Sequence, residues 1–238
     1  MGGQPWPRGT LLELLSPKEQ DALTCLGGKQ VFLPGQHLVQ EGHESTGVYV
    51  IIFGCAKVTG NTIDGKLVML DIRVAGDLVG EFAALDAAPR SSTVTAATRL
   101  TARFIPQPEF HRFLDAHPAA ARSISRSIAL KLRFSTSQRL DMSVGSTEVR
   151  LARILGYLSD RYGVPAPEGM VIDVPLSQCE IADLAGSSQP GIQRAFAYLR
   201  RRNVVLTRYR RQVIANQELL RSIADLRDAE MRDKAARI

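Results

Sequence analysis

Short apolar runs dominate the first half of the chain, at Val31 to Leu33, Gly47 to Ile52, Ala56 to Thr59, Leu67 to Ile72, Thr93 to Ala97 and Leu100 to Ile105. Runs of this length, punctuated by Gly35, Gly42, Gly54 and the Asp64-Gly65 pair, read as strands closed by turns. Val48, Val50 and Ile52 alternate with Tyr49, Ile51 and Phe53, so both faces of that strand are expected to be at least partly covered. Many short strands at this spacing favour a barrel or jelly-roll sandwich over a βαβ sheet. The period changes after Pro108. A long helix is expected from about Glu109, with Ala121, Ile124, Ile128, Leu132, Ser135, Arg139 and Met142 along one mostly apolar, slowly drifting seam.

Other elements follow from caps and breakers. Leu11 to Leu15 precedes Ser16-Pro17, a helix start in which Ser16 caps and Pro17 takes the first turn. Trp6 is expected to anchor these N-terminal helices on one end of the barrel. Val144-Gly145-Ser146 reads as a hinge, followed by a helix with Leu151, Ile154, Leu155, Leu158 and Tyr162 on its apolar face. Gly163 to Gly169, with Pro165 and Pro167, interrupts the pattern before an extended stretch from Met170 to Val174. Ser177 with Glu180 three residues later is a capping box, Ile181 and Leu184 point inward, Gly186 turns the chain, and Ser188 caps a second helix. Ile192, Ala195, Phe196 and Leu199 share that helix's buried face, which makes the pair a helix-turn-helix. Val204 to Leu206 and Gln212 to Ile214 are expected to form a wing, without the glycine often found in a wing's turn. The expected organisation is a barrel over 11–108, a long helix over 109–144, a winged helix-turn-helix over 145–218 and a tail over 219–238.

Charge matters here through its position. The chain has 30 Lys and Arg against 24 Asp and Glu over 238 residues, a modest +6. From Gln189 to Gln217, however, there are seven arginines and no acid, which favours a nucleic-acid partner for the C-terminal part. Cys25, Cys55 and Cys179 are scattered and odd in number, and His37, His43, His111 and His117 show no ligand spacing, so no metal is expected. No run approaches about 18 apolar residues, and a soluble cytoplasmic protein is the expectation.

The candidate chemistry is concentrated in Gly80 to Val94. Gly80 lets backbone approach an anion, and Glu81 can accept from a sugar hydroxyl. Arg90 offers a planar fork to phosphate oxygens, with Ser91, Ser92 or Thr93 adding donors. Taken alone, the segment reads equally well as a polar turn. Beside the helix-turn-helix, Ser188, Gln189, Gln193 and Arg194 are candidates for reading DNA, while Arg200, Arg208, Arg210 and Arg211 are candidates for its phosphates. No nucleophile, base and orienting group fall together, which excludes an evident enzyme. No axial haem ligand is recognisable.

Leu33 to Val58, reading LPGQHLVQEGHESTGVYVIIFGCAKV, followed by Gly80-Glu81 and by Pro89-Arg90-Ser91-Ser92-Thr93-Val94, closely resembles the cyclic-nucleotide-binding domain of the catabolite activator and nitrate-reduction regulator superfamily. The resemblance runs over roughly residues 11 to 215. It implies an α+β chain with an N-terminal double-stranded β-helix, a long dimerisation helix and a C-terminal winged helix-turn-helix. It further implies that Glu81 binds a ribose 2'-hydroxyl and Arg90 the cyclic phosphate, with Ser91 adding a contact and Gly80, Phe82 and Ser92 completing the pocket. Ser135 and Thr136 fall at two hydroxyl positions that reach adenine, one within the subunit and one across a parallel homodimer, which favours cyclic AMP over cyclic GMP. Double-stranded DNA is the implied partner, and RNA polymerase a further one. The chain departs from the family in its reading helix, where the usual arginine-glutamate-three-residues-arginine is Gln189-Pro190 followed by Arg194. The family's usual operator therefore does not transfer. Two alternatives keep the fold: a regulator that is constitutive or answers another effector, and a cyclic-nucleotide-binding protein whose partner is a protein.

Overall fold

A computed structural model describes residues 6–143, 145–208 and 211–225. It begins with α1 (Leu11–Leu14) and α2 (Pro17–Cys25). Ser16 caps α2 as its sequence requires: its hydroxyl accepts from the Glu19 amide, and its own amide donates to Glu19 Oε2 at 2.9 Å. The strands β1 (Gly28–Phe32), β2 (His37–Val39), β3 (Val48–Phe53), β4 (Cys55–Asn61), β5 (Leu67–Val74) and β6 (Leu78–Val79) come next. The short helix α3 (Glu81–Asp86) separates them from β7 (Thr93–Ala96) and β8 (Leu100–Ile105).

These strands form two antiparallel sheets, ordered β1-β8-β3-β6 and β2-β7-β4-β5. Ile51, Leu100 and Ala102 of the first sheet meet Ala56, Val58, Val94 and Ala96 of the second in one buried cluster. The opposite face of the first sheet, through Val48, Val50 and Ile105, packs on Leu11, Leu12, Leu23, Phe110, Phe113 and Ile124 from the helices. Helical cover on one side and the second sheet on the other explain why β3 is apolar on both faces. Trp6 packs against the helical cluster and donates to Gln20 Oε1 at 3.3 Å.

The single helix expected from Glu109 is in fact two, α4 (Gln107–Ala116) and α5 (Pro118–Ser143). Pro118 has no amide hydrogen to donate and its ring clashes with the preceding turn, so the chain breaks at His117 and restarts. The expected seam on α5 also divides. Ile124 is 2% exposed against the barrel, whereas Leu132 is 66% exposed; Leu140, outside that seam, is 64% exposed.

Contacts divide the molecule into two compact units, 1–133 and 134–238. In the second, Ser146 caps α6 (Thr147–Tyr162), whose Leu151, Leu155 and Leu158 are buried. The end of α5 is part of this unit: Phe134 stacks on Tyr157 with centroids 3.7 Å apart, Arg153 pairs with Asp141 at 2.6 Å, and Gln138 donates to the Leu184 carbonyl. The strands β9 (Gly163–Ala166) and β10 (Gly169–Ile172) lead to α7 (Gln178–Leu184) and α8 (Gln189–Arg201), then to β11 (Val205–Arg208) and β12 (Arg211–Ile214). The sheet order is β11-β12-β10-β9. The proline-bearing stretch expected only to interrupt the pattern thus makes a strand, and it can because β9 sits at the edge, where a missing donor costs no ladder bond. Residues 217–225 form a final helix that buries Leu220 and Ile223.

Candidate ligand pocket and nucleic-acid interface

The loop from β6 into α3 builds one end of a cavity. Gly80 caps α3 in the left-handed region at φ 85°, and a side chain there would run into the Arg90 guanidinium. Glu81, the first residue of α3, is only 5% exposed. Its carboxylate pairs with the Lys131 ammonium from α5 at 2.7 Å, and Lys131 also donates to the Leu78 carbonyl at 3.0 Å.

Arg90 is aimed by three acceptors. Its Nη1 donates to the Gly80 carbonyl at 2.8 Å, Nη2 to the Gly47 carbonyl at 2.5 Å and Nε to Ser45 Oγ at 3.2 Å. Burial pulls the Arg90 pKa below its ordinary value, against the opposing charges of Tyr49 and Glu81, and burial also raises the Tyr49 phenol. An arginine starts from so high a value that it stays charged.

Gly80, Glu81, Phe82, Arg90, Ser91 and Ser92 all line the same cavity, of about 420 Å³ including its open mouth. The remaining wall is apolar, from Val39, Val58, Val79, Ala83 and Val94, with one further charge, Arg73. A cavity with apolar walls and a few convergent polar groups suits a small molecule bearing one anionic and one hydroxyl-bearing end. Ser135 and Thr136, expected here by resemblance, belong to the other compact unit and are exposed on α5. Two charged residues of the site, Lys131 and Arg73, are not found by reading the sequence. The signal for Arg73 is the alternation of Asp71 and Arg73 inside an otherwise apolar strand; Lys131 leaves none, because its partner is fifty residues away.

In the second unit, α8 presents a polar edge to solvent. Ser188 caps it through the Gly191 amide at 3.2 Å, and Pro190 sits in the first turn, where no helical amide bond is lost. Gln189, Gln193, Arg194 and Arg200 are exposed, while Ile192, Ala195, Phe196 and Leu199 are fully buried beneath them. Arg202 lies over the Tyr198 ring, 4.7 Å from its centroid. Arg211 on β12 makes an exposed pair with Asp173 at 3.0 Å. Arg210 and the Arg208 side chain lie outside the described residues.

Residues 29–117 match the cyclic nucleotide-binding domain, and residues 149–223 match the Crp-like helix-turn-helix domain. The transcriptional regulator LdrP of Thermus thermophilus is 30% identical over 170 residues, covering 71% of this chain and 83% of its own. The chain belongs to the catabolite activator superfamily of transcription regulators. A CRP-like cAMP-activated global transcriptional regulator of Mycobacterium tuberculosis is 25% identical over 213 residues, 90% of this chain and 95% of that one. In fold the chain resembles a CRP-family transcriptional regulator from Thermus thermophilus, with TM-score 0.68, 24% identity and coverage of 82% of this chain and 96% of that one. It also resembles FixK2 of Bradyrhizobium japonicum, with TM-score 0.72, 18% identity and coverage of 83% and 97%. Membership makes this a DNA-binding regulator with a cyclic-nucleotide-binding domain rather than an enzyme. No helix among the described residues is long and apolar enough to cross a membrane, and no cluster of metal-ligating side chains occurs among them.

Proposed function

We propose that the protein is a cytoplasmic homodimeric transcription regulator whose DNA binding is controlled by a cyclic purine nucleotide, with cyclic AMP the leading effector. The carrying observation is the convergence of Gly80, Glu81, Arg90, Ser91 and Ser92 on one cavity whose acidic member is held by the long helix through Lys131. Arg90 and Ser91 receive the cyclic phosphate, and Glu81 receives the ribose 2'-hydroxyl. The family assignment of Ser135 and Thr136 to adenine, and the cyclic AMP named for the mycobacterial relative, support that nucleotide.

Control follows from the pairing of Glu81. In the free chain its carboxylate is neutralised by Lys131. A ribose hydroxyl arriving at that carboxylate redistributes its hydrogen bonds and so acts on α5. Exposed Leu132 and Leu140 supply apolar surface for pairing α5 with its copy. Ligand that binds one α5 pairing better than another shifts the dimer toward it, and with it the spacing of the two α8 helices. Gln189 and Arg194 then read adenine and guanine edges, while Arg200, Arg208, Arg210 and Arg211 hold phosphates. Contact with RNA polymerase is the family's further implication.

The test is selection from a randomised duplex library with cyclic AMP, with cyclic GMP and with neither, at one salt concentration. A two-fold symmetric site selected only with cyclic AMP supports the reading. Equal selection in all three arms replaces it with a constitutive regulator or one with another effector, and no selected site points to a protein partner.

A further inference from the structure

The carbonyl of Ala84 in α3 lacks the partner that a longer helix would give it. In a continuing helix it would accept from the amide four residues on. Ala87 instead turns into the left-handed region at φ 56°, and the Ala88 amide donates to Asp86 Oδ1 at 3.0 Å. Ala84 is 1% exposed, so bulk water is kept from the carbonyl. Two side chains from α4 take the place of both. Gln107 Nε2 donates to the Ala84 oxygen at 2.9 Å, and His111 Nε2 meets it at 2.7 Å. A carbonyl only accepts, so Nε2 is the nitrogen of His111 that carries the hydrogen. The two donors stand four residues apart on α4, one turn of the helix, and together they occupy both lone pairs of one oxygen.

The helix held in this way carries part of the pocket. Glu81 is the first residue of α3, and Phe82 and Ala83 line the cavity beside it. With six residues, α3 is too short to persist on its own hydrogen bonds. Its start is held by groups of the pocket, through Arg90 on the Gly80 carbonyl and Lys131 on Glu81. Its last turn is held by α4, whose Phe110 and Phe113 are buried in the same core cluster as Val48, Ile105 and Ala84. α4 is thus the fixed body, and Gln107 and His111 pass its position on to the residues that face the cavity.

We infer that Gln107 and His111 are positioning residues of the ligand pocket, holding α3 so that Glu81 presents its carboxylate to the hydroxyl of a bound nucleotide. They act through the Ala84 carbonyl and not by touching the ligand. Either donor alone keeps that carbonyl paired, so the two are redundant singly and required together. The inference rests on the cyclic-nucleotide reading of the pocket, with Glu81 as acceptor of the ribose 2'-hydroxyl.

The experiment is direct titration of the full-length protein with cyclic AMP and with 2'-deoxy cyclic AMP, which keeps the base and the phosphate and lacks the hydroxyl. Gln107→Met combined with His111→Phe removes both donors while keeping most of the side-chain volume, and its folding is checked by its thermal transition. This double variant is expected to lose about tenfold in affinity for cyclic AMP, the scale of a buried acceptor left unpaired, and much less for the 2'-deoxy nucleotide. Each substitution alone is expected to lose about twofold or less. Gln107→Met combined with His111→Gln restores one donor and is expected to recover cyclic AMP binding. Gln107→Glu turns one donor into an acceptor facing the Ala84 oxygen while His111 stays in place. It is the second variant should the double one fail to fold, and it is expected to lower the preference for cyclic AMP over the 2'-deoxy form. An equal loss for both nucleotides, or none for either, overturns the positioning role, as does failure of His111→Gln to restore binding. Failure of cyclic AMP to bind the unsubstituted protein overturns the cyclic-nucleotide reading itself, a result distinct from an unchanged ratio.

Discussion

The Lys131 ammonium lies 2.7 Å from the Glu81 carboxylate, and the two side chains are 10% and 7% exposed. A pair this dry is asymmetric in its response to mutation: removing one partner strands the other, whereas replacing both is tolerated. Lys131→Met is expected to destabilise the barrel unit by on the order of 3 kcal/mol. Combining it with Glu81→Gln should recover most of that loss. Urea denaturation of the two single variants and the double variant measures the coupling, and additive effects would show that the pair is energetically idle.

Arg90 supports the pocket as well as facing it. Its three hydrogen bonds to Ser45, Gly47 and Gly80 hold the loop between β2 and β3 against the start of α3. Lysine keeps the charge but cannot reach all three acceptors. Arg90→Lys is expected to cost about 1–3 kcal/mol of stability from the carbonyls left unpaired, and at least tenfold in nucleotide affinity. Denaturation and direct titration of the same preparation read the two effects separately.

Gly80 adopts a backbone conformation that side chains avoid, and a Cβ there would strike the Arg90 guanidinium. Gly80→Ala is therefore expected to misplace Arg90 and abolish high-affinity nucleotide binding. The backbone strain adds about 1 kcal/mol of destabilisation. Gly65, also at positive φ but with nothing near its missing Cβ, is the control: Gly65→Ala should carry strain alone and leave the ligand affinity unchanged.

Two classes of arginine are separable on DNA. Arg194→Ala should cost about 1–3 kcal/mol and relax sequence preference at one position of each half-site. Arg211→Ala should weaken binding uniformly across sequences and reduce the salt slope by about one. Its exposed pair with Asp173 is worth little, so DNA phosphate can replace that partner at small cost. Binding curves on matched and mutated sites over a salt series distinguish these outcomes.

The exposed leucines of α5 test the subunit interface. Leu132→Asp and Leu140→Asp, at positions 66% and 64% exposed, should leave the stability of the isolated chain nearly unchanged while weakening self-association at least tenfold. Sedimentation over a concentration range measures it. A monomer in the unsubstituted protein at all concentrations would remove the dimer from the mechanism.

Much of the fold is legible in the sequence because its signals are local. Ser16 with Glu19 and Ser177 with Glu180 announce helix starts within four residues, and both capping boxes form. Ile192, Ala195, Phe196 and Leu199 declare the buried side of α8 by their spacing alone. Even the pocket's glycine, acid and arginine fall within a stretch short enough to recognise. The differences also have local causes: the apolar seam masks the break at Pro118, and Pro165 reads as a breaker as long as its place at a sheet edge is out of view.

The sequence by itself determined most of the order of elements, the buried faces of α7 and α8 and the short motif that carries the pocket's glycine, acid and arginine, because periodicity, caps and a near-contiguous motif need only neighbouring residues to be understood. Only the tertiary structure decided which charges in that pocket are already spent. Glu81 is matched by Lys131, and Arg90 is bound to Ser45, Gly47 and Gly80, while Arg73 retains a donor edge beyond its bonds to Asp71 and Ile72. The first two of these partnerships join residues some ten to fifty positions apart, and the third depends on which face of β5 meets the cavity. All three are properties of packing, where burial makes each such pairing count, and none is readable from residue spacing alone.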